Sequence, residues 1–188
     1  MAARVHTVKK CRKSPGKCGR CSKEIKKGDG YQWWKFRYGG KRVRCLECPR
    51  PRYSELISSG KLSAIEAARE SIQDAIEAFR GDHDIESLRS ALETAAEDVR
   101  QVAEEYRESA QNIEDGFGHS TQQSDELNER GDAVEAGADQ IESAAGELED
   151  FDEEGEEGET EEAKEERKEA WVEEQTNKAE EAEQFETD

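Results

Sequence analysis

The sequence predicts three structural parts in series: a small cysteine-rich β head, an all-α antiparallel helical region with coiled-coil periodicity, and a disordered acidic tail. Three observations lead to this division. All five cysteines fall between Cys11 and Cys48, apolar residues recur at helical spacing after residue 61, and glutamate dominates the C-terminal end. The expected segments are a flexible basic arm over 1–16, the head over 17–60, the helical region over 61–150 and the tail over 151–188.

The charge of the chain is divided very unevenly between its two ends. The net charge is −19, but residues 1–53 carry 17 Lys and Arg against 3 Asp and Glu, a net of +14. Residues 54–188 carry the other 11 basic and 44 acidic residues, a net of −33. Apolar residues make up only 32% of the chain, too few for one large core. We therefore expect small domains whose two halves have different partners.

The start of the chain bears on its location in the cell. Residues 1–17 are basic but lack the apolar stretch of a secretory signal, and no run of 18 apolar residues occurs anywhere. We expect a protein that is neither secreted nor membrane-bound and that resides in the cytoplasm, the nucleoid or the nucleus. In such a reducing setting, an odd number of cysteines favours metal-binding thiols over disulfides.

Two Cys-x-x-Cys pairs, Cys18/Cys21 and Cys45/Cys48, are separated by 23 residues. Each pair in a tight turn presents two thiolates to one ion, so two pairs complete a tetrahedral shell. We therefore predict one structural Zn²⁺ held by all four cysteines. Two disulfides or free thiols are the alternatives, and Cys11 is either a bystander on the arm or a substitute ligand.

The first pair lies in the stretch "CGRCSKEIKKGDGY", which resembles the first knuckle of treble-clef zinc fingers of the poly(ADP-ribose) polymerase type. The resemblance covers about 35 residues, with Cys45 standing where that family usually has histidine. It implies a zinc-held β-hairpin followed by a helix, and binding of duplex or damaged DNA is one function of such fingers. The matching residues are Cys18, Cys21, Ile25, Lys27, Gly28 and Tyr31.

The stretch "YQWWKFRYGGKRVRC", residues 31–45, combines aromatic and basic residues around Gly39-Gly40. Two glycines between alternating runs predict a two-residue hairpin turn, which pairs Tyr38 with Lys41 and Trp34 with Cys45. Side chains then alternate between two faces. We expect one face, beside the metal, to carry Trp34, Phe36, Tyr38, Val43 and Cys45. The other face carries Tyr31, Trp33, Lys35, Arg37, Arg42 and Arg44.

This predicted register places cations directly opposite one another, which destabilises a hairpin unless a polyanion relieves the repulsion. Phosphate contacts from Lys and Arg are the usual source of nucleic-acid affinity. Trp33 either stacks on an unpaired base or packs on the arm or on Tyr31. A solvated basic face without a partner, or one covered by the acidic half of the chain, is the alternative. The predicted nucleic-acid contacts are Trp33, Lys35, Arg37, Lys41, Arg42, Arg44, Arg50 and Arg52.

Three helical runs follow the head. The first opens with a capping box at Ser63–Glu66 and stops at Gly81. The next two, over 84–115 and 120–150, show heptad spacing and similar lengths, which predicts an antiparallel coiled-coil hairpin. Its seam is rich in alanine, and the third run contains three glycines, so we expect it to need self-association or a protein partner.

The sequence from residue 149 onward is acidic and of low complexity, which predicts disorder with a transient helix after Thr160. Its apolar anchors are Trp171, Val172 and Phe185. Three roles are open: a solubilising tail, a peptide that docks Trp171 on a partner, and a segment that folds back onto the basic head.

The function that these patterns favour is zinc-dependent nucleic-acid binding, to DNA rather than RNA, with the coiled coil as an oligomerisation or partner arm. One alternative is a structural or adaptor protein, such as a viral accessory or assembly protein, whose zinc head binds another protein. Another is an acidic regulator in which residues 120–188 imitate nucleic acid. We expect no enzyme and no small-molecule substrate, because the thiolate shell is closed and no nucleophile–base pair appears.

Overall fold

A computed structural model describes residues 2–58, 60–154 and 160–185 of the chain. The chain divides into two compact units, Met1–Glu66 and Ala67–Asp188, which we call the head and the helical unit. The head contains the cysteines and all the β-strands, and the helical unit contains most of the four helices.

The head is built from two small antiparallel sheets. Three strands pair in the order β1-β4-β5, and β2 pairs with β3. The predicted flexible arm is wrong in part, because β1 pairs with β4 and Cys11 is buried with only 7% of its surface exposed. The five strands are β1 His6–Val8, β2 Gly16–Lys17, β3 Glu24–Ile25, β4 Tyr31–Lys35 and β5 Lys41–Cys45.

The β4–β5 hairpin has a different register from the one that the sequence predicted. Tyr31, not Trp34, lies opposite Cys45, and Lys35 lies opposite Lys41. Residues 36–40 form a longer loop, in which Gly39 and Gly40 do not adopt the positive φ that a two-residue turn needs. The shift of three residues is odd, so every side chain of β4 changes face relative to β5.

The change of register redistributes the aromatic and basic side chains. Trp33, opposite Val43, packs against the buried cysteine cluster, whereas Trp34, opposite Arg42, lies on the other face. The predicted face of four cations is therefore wrong. Lys35 shares the face of Trp33, and Arg37 belongs to the loop.

Four helices follow: α1 Gly60–Asp82, α2 Ile85–Phe117, α3 Gln122–Gly146 and α4 Glu161–Glu183. The predicted start of α1 at Ser63 is wrong by three residues, because the Ser63 hydroxyl donates a hydrogen bond to the Ser54 carbonyl at 2.7 Å instead of capping the helix. Among the described residues, none of the helices has the length and apolar character needed to cross a bilayer.

Helices α2 and α3 form an antiparallel hairpin, as the matched lengths of their patterns predicted. Two arginines of α2 each bridge two carboxylates that lie three residues apart on α3. We call these contacts the arginine clamps. Arg100 contacts Asp139 at 3.0 Å and Glu142 at 2.6 Å, and Arg107 contacts Asp132 at 2.9 Å and also Glu135. The hydrogen bonds to these carboxylates raise the pKa of both guanidinium groups.

The predicted apolar seam forms the core of this hairpin. Leu92, Val99 and Ile141 have no exposed surface. Gly131 lies on the same seam, and a Cβ placed there would be 3.3 Å from the Ala103 carbonyl oxygen and 3.2 Å from Cγ of Arg107. This glycine therefore allows α3 to approach α2 closely.

The expected disorder of the tail is wrong for residues 160–185. Thr160 caps α4 by accepting a hydrogen bond from the Ala163 N–H. The Trp171 ring lies 5.4 Å from the Phe79 ring, and its Nε1–H donates to the Glu149 carbonyl at 2.8 Å. Phe185 is 1% exposed. The remaining parts of the predicted tail beyond Glu154, residues 155–159 and 186–188, lie outside the described residues.

The buried stripe of α4 explains why the sequence did not reveal this helix as part of the fold. It consists of Gln175, Thr176, Ala179 and Ala182, which are polar or small. The Gln175 side chain accepts a hydrogen bond from the Glu149 N–H at 3.0 Å, so it packs as a satisfied polar acceptor. A search for large apolar residues at helical spacing misses such a stripe.

We predict opposite effects for two glycine-to-alanine changes in α3. Gly146→Ala meets no atom within 4 Å, so it should raise the free energy of unfolding by about 0.5 kcal/mol through helix propensity. Gly131→Ala should give no gain or a loss, because its Cβ crowds Ala103 and Arg107. Thermal unfolding followed by circular dichroism measures both. Equal stabilisation by the two changes would contradict the close approach.

Candidate metal centre

The four paired cysteines meet in one cluster. Their sulfurs all lie within 4.8 Å of one another. The distances are 3.9 Å for Cys18–Cys48, 3.7 Å for Cys21–Cys45 and 3.5 Å for Cys45–Cys48. A tetrahedral ion with metal–sulfur bonds of about 2.3 Å requires sulfurs about 3.8 Å apart. The cluster therefore fits one metal ion and has sulfurs too distant for disulfides, whose bonds are about 2.05 Å.

Backbone hydrogen bonds hold the first cysteine pair in its turn, between β2 and β3. The Cys18 N–H donates to the Lys23 carbonyl at 2.8 Å, and the Ser22 N–H donates to the Cys18 carbonyl at 3.0 Å. Ser22 adopts a positive φ of 59°, which closes the turn. The Gly19 N–H then donates to the Val43 carbonyl of β5 at 2.8 Å, which brings the turn beside the second pair.

Two amide groups point at the sulfur of Cys18, since the Arg20 and Cys45 N–H groups each donate to it at 3.4 Å. Burial opposes ionisation of this thiol, but the backbone hydrogen bonds outweigh burial and lower its pKa to about 6. The hydrogen bond with Cys45, followed by burial, raises the pKa of Cys48 to about 12. The cluster thus favours a thiolate at Cys18, the form that binds metal, before any ion is present.

Cys11 belongs to the core around the cluster and not to the four-sulfur group. Its thiol donates to the Lys26 carbonyl at 2.9 Å, and the side chain packs with Ile25 and Tyr31. Among the described residues, the group of four is the arrangement of cysteine, histidine and carboxylate side chains that could hold an ion. The prediction that Cys11 stays outside the ligand set agrees with this geometry.

Gly30 shows how tightly the chain passes the second cysteine pair. A Cβ at this position would lie 2.4 Å from Cδ1 of Leu46, inside the Cys45–Cys48 turn, and 3.0 Å from the Lys9 carbonyl oxygen. Contacts below 3.0 Å require a neighbour to shift. Glycine at this position therefore permits β1, β4 and the second turn to come together.

The predicted nucleic-acid contacts separate into surface and interior groups. Trp33 is half-buried, with the His6 ring stacked at 4.4 Å and the Lys41 ammonium 4.5 Å from its centroid. Trp33 thus packs on the N-terminal strand, one of the predicted alternatives. Six of the predicted residues are exposed: Lys35, Arg37, Lys41, Arg42, Arg50 and Arg52.

Arg44 has a structural role instead of a surface role. It is 4% exposed, donates to the Pro49 carbonyl at 3.2 Å and forms an ion pair with Glu55. Burial favours the neutral form of Glu55, but the hydrogen bonds from Arg44 and from the Arg52 N–H, together with the nearby positive charges, outweigh burial and lower the pKa of this carboxyl. Arg44 therefore links β5 to the segment after the second cysteine pair. It is not one of the cations on the surface of the head.

A groove of about 460 Å³ runs along the head beside the first cysteine turn. Three exposed cations, Lys17, Lys41 and Arg42, are among the residues that line it, and we call it the basic groove. Lys17 was not among the predicted contacts, and the pairing of β2 with β3 brings it here. The other lining residues are Pro15, Gly19, Trp34, Val43, Arg44 and Glu55.

Compared with known proteins, the chain matches no family model, no curated protein and no solved structure. The resemblance of the first cysteine turn to the poly(ADP-ribose) polymerase-type finger therefore stays a prediction.

We predict that Cys45→Ser and Cys11→Ser differ sharply in zinc binding. Loss of one of four thiolates should weaken affinity at least about 100-fold. Cys11→Ser keeps a donor for the Lys26 carbonyl, so it should bind zinc as the unchanged protein does. Competition with a chromogenic zinc chelator measures both affinities. Full zinc binding by Cys45→Ser would contradict the ligand set.

We predict that Glu55→Gln destabilises the head by about 2 kcal/mol, because it removes the charged partner of a buried arginine. The lowered pKa of Glu55 gives a sign to the pH dependence. Ionised Glu55 stabilises the head fully at any pH above the pKa that this carboxyl has in the unfolded chain. This stabilisation is lost as the pH falls through the lower pKa that Glu55 has in the folded head.

Urea titration of the zinc-loaded chain, with a dye reporting zinc release, measures this effect. The difference in free energy of unfolding between Glu55→Gln and the unchanged protein should become smaller as the pH falls toward about 4. Glu47→Gln is the matched control. This change breaks the exposed ion pair between Lys23 Nζ and Glu47 Oε1, which are 2.5 Å apart. It should lower the free energy of unfolding by less than about 1 kcal/mol. Equal costs for the two changes would contradict the role of Arg44.

Proposed function

We propose that this protein binds nucleic acid through its head, that one Zn²⁺ on the four cysteines folds the head, and that the basic groove contacts phosphates. The observation that carries the proposal is a groove beside the first cysteine turn that is lined by three exposed cations, Lys17, Lys41 and Arg42. Phosphate contacts from such cations supply most of the affinity of proteins for nucleic acid.

Zinc is the ion that best suits the cluster. Four thiolates in a closed tetrahedron are the usual ligands of structural zinc, and they leave no position for a reacting water. The head is small, and one cluster of its buried side chains, including Ile25 and Tyr31, lies around the cysteines. A domain of this size gains its stability from the ion as well as from its core.

The charges of the head support a polyanionic ligand. Only three carboxylates occur in residues 1–53. Glu47 pairs with Lys23, Asp29 accepts a hydrogen bond from the Lys26 N–H at 2.8 Å, and Glu24 lies opposite Lys17 in the sheet. Within the described part of the chain, no ion pair includes Lys41 or Arg42. No carboxylate therefore neutralises either cation, although the Lys41 ammonium also donates a hydrogen bond to the Tyr31 hydroxyl at 3.2 Å. We place both cations at the centre of the interface.

The exposed arginines at positions 37, 50 and 52 extend the proposed interface on either side. DNA is the proposed ligand in preference to RNA, on the resemblance of the first cysteine turn to DNA-binding fingers. The hairpin of α2 and α3 serves in this proposal as a coiled-coil arm for self-association or for a protein partner.

A second candidate function rests on the helical unit. A groove of about 720 Å³ on α2 and α3 is lined by four glutamates with Arg100 among them. A basic protein segment would complement these charges. This candidate differs from the adaptor alternative of the sequence, which assigned protein binding to the zinc head. Capture of a lysine-rich peptide that survives nuclease treatment and high zinc-chelator concentration would support this function. The glutamates are Glu93, Glu97, Glu104 and Glu142.

We predict salt-dependent binding of the full-length chain to DNA, lost on zinc removal. The double change Lys41→Ala and Arg42→Ala should reduce the slope of log affinity against log salt by about 1.8, or about 0.9 for each phosphate contact. Lys23→Ala, whose ammonium already pairs with Glu47, should change the slope little. Fluorescence anisotropy with a labelled oligonucleotide measures the slope.

The outcomes separate the parts of the proposal. No binding at about 50 mM salt would contradict nucleic-acid binding by the intact chain. Binding that persists after removal of zinc would contradict the dependence on the metal centre. If Lys23→Ala reduced the slope of log affinity against log salt as much as the double change does, net charge and not the basic groove would determine the affinity.

A further inference from the structure

The loop between β4 and β5, residues 36–40, presents an aromatic ring to solvent. Tyr38 is 89% exposed, the highest value among the large apolar and aromatic side chains exposed in the described residues. The Arg37 guanidinium lies 5.2 Å from the centroid of its ring. The ring contributes no core packing, so its face is accessible to a ligand.

The other aromatic rings of the same sheet are already engaged. His6 stacks on Trp33 and Lys41 lies over it, as described above. Trp34 is 3% exposed and Tyr31 is 8% exposed. Trp33, for which base stacking was one of two predicted roles, is thus partly covered by the protein itself, and Tyr38 is the ring of this hairpin that is most exposed.

The structure of the loop does not depend on the Tyr38 side chain. Phe36 is half-buried, with the Arg42 guanidinium 5.1 Å from its ring centroid. A Cβ on Gly39 would lie 3.5 Å from Cβ of Phe36, so the returning strand passes close to Phe36. Phe36 therefore supports the base of the loop, and Tyr38 can be replaced without removing a core residue.

The charges around the loop select the class of ligand. Between Asp29 and Glu47 the sequence has five basic residues and no carboxylate. Of these, Lys35, Arg37, Lys41 and Arg42 are exposed at the loop or at the strand ends beside it. A ring in such a setting matches the combination found in proteins that bind single strands, where cations contact the backbone and aromatic rings stack on bases.

We propose that Tyr38 stacks on an unpaired base, so that the preferred ligand of the head is a nucleic acid with single-stranded or splayed-out bases. This inference rests on the proposed nucleic-acid binding and adds the ligand class to it. Tyr38 supplies the base contact, and the basic groove supplies the phosphate contacts. Paired bases in a duplex offer no free face to the ring, so they gain only the phosphate contacts.

The test compares four full-length, zinc-loaded proteins: the unchanged chain, Tyr38→Ala, Tyr38→Phe and Tyr53→Ala. Tyr53 is the matched control, because it is also an exposed tyrosine of the head, at 55%. Fluorescence anisotropy gives affinities for a labelled single-stranded oligothymidylate, for a blunt duplex and for inorganic polyphosphate. A second single strand carrying 2-aminopurine reports stacking directly through quenching of its fluorescence.

We expect Tyr38→Ala to lose about tenfold in affinity for the single strand and to lose the quenching. Its affinity for the duplex and for polyphosphate should stay unchanged, which a general folding defect would not allow. Tyr38→Phe keeps the ring and should behave as the unchanged chain does. Tyr53→Ala should also match the unchanged chain.

Three results would overturn the inference. If the unchanged chain binds both oligonucleotides but Tyr38→Ala binds the single strand equally well, the stacking role is wrong and nucleic-acid binding stands. If the unchanged chain binds neither oligonucleotide, both proposals fall together. If Tyr38 is instead needed for binding to anionic lipid vesicles and not to oligonucleotides, the ring is a membrane contact.

Discussion

The head depends on one constraint, the meeting of two cysteine pairs that are 23 residues apart in the sequence. The first pair follows β2 and the second ends β5, so four sulfurs at tetrahedral spacing join the two sheets at one point. Because Cys45 is both the last residue of β5 and part of the cluster, the face of β5 that turns inward is determined by the metal site. The position of every cation on that strand follows from this choice.

The same run of basic residues therefore performs two different tasks. Arg44 lies two residues from Arg42 and one from Cys45, and the sheet turns it into the interior against Glu55. Arg42 lines the basic groove and is exposed, whereas the Lys41 ammonium lies over the Trp33 ring on the opposite face of the strand. Burial of Arg44 is offset by a carboxylate and a backbone carbonyl, which accept hydrogen bonds from its two terminal nitrogens. A count of positive residues thus overstates the charge that a ligand would meet.

Local patterns predicted the parts of the structure that are determined locally. The spacing of the cysteines predicted the sulfur cluster, and the heptad seam predicted the α2–α3 hairpin. The hairpin register was wrong because adjacent glycines permit a tight turn without requiring one, and the observed loop leaves both without positive φ.

Two further errors came from contacts between distant parts of the chain. Arg44 is buried through Glu55, eleven residues later, and α4 is held by Phe79 and Glu149 from other elements. The buried stripe of α4 contains glutamine and threonine, which a search for apolar periodicity does not count. Packing of Trp33 on the N-terminal segment was one of the predicted alternatives, but the strand that brings His6 onto its ring was not predicted.

The arginine clamps have a consequence for how the helical hairpin finds its alignment. The two arginines are seven residues apart, and so are the two pairs of carboxylates that they bridge. A hairpin displaced by one heptad would still satisfy one clamp, with Arg107 against Asp139 and Glu142. The ionic contacts therefore distinguish the correct alignment from this neighbour only weakly. The short connection between Phe117 and Gln122, together with the close approach at Gly131, must supply the discrimination. The hairpin thus selects its alignment through geometry, while its charges mainly decide which helix faces can meet.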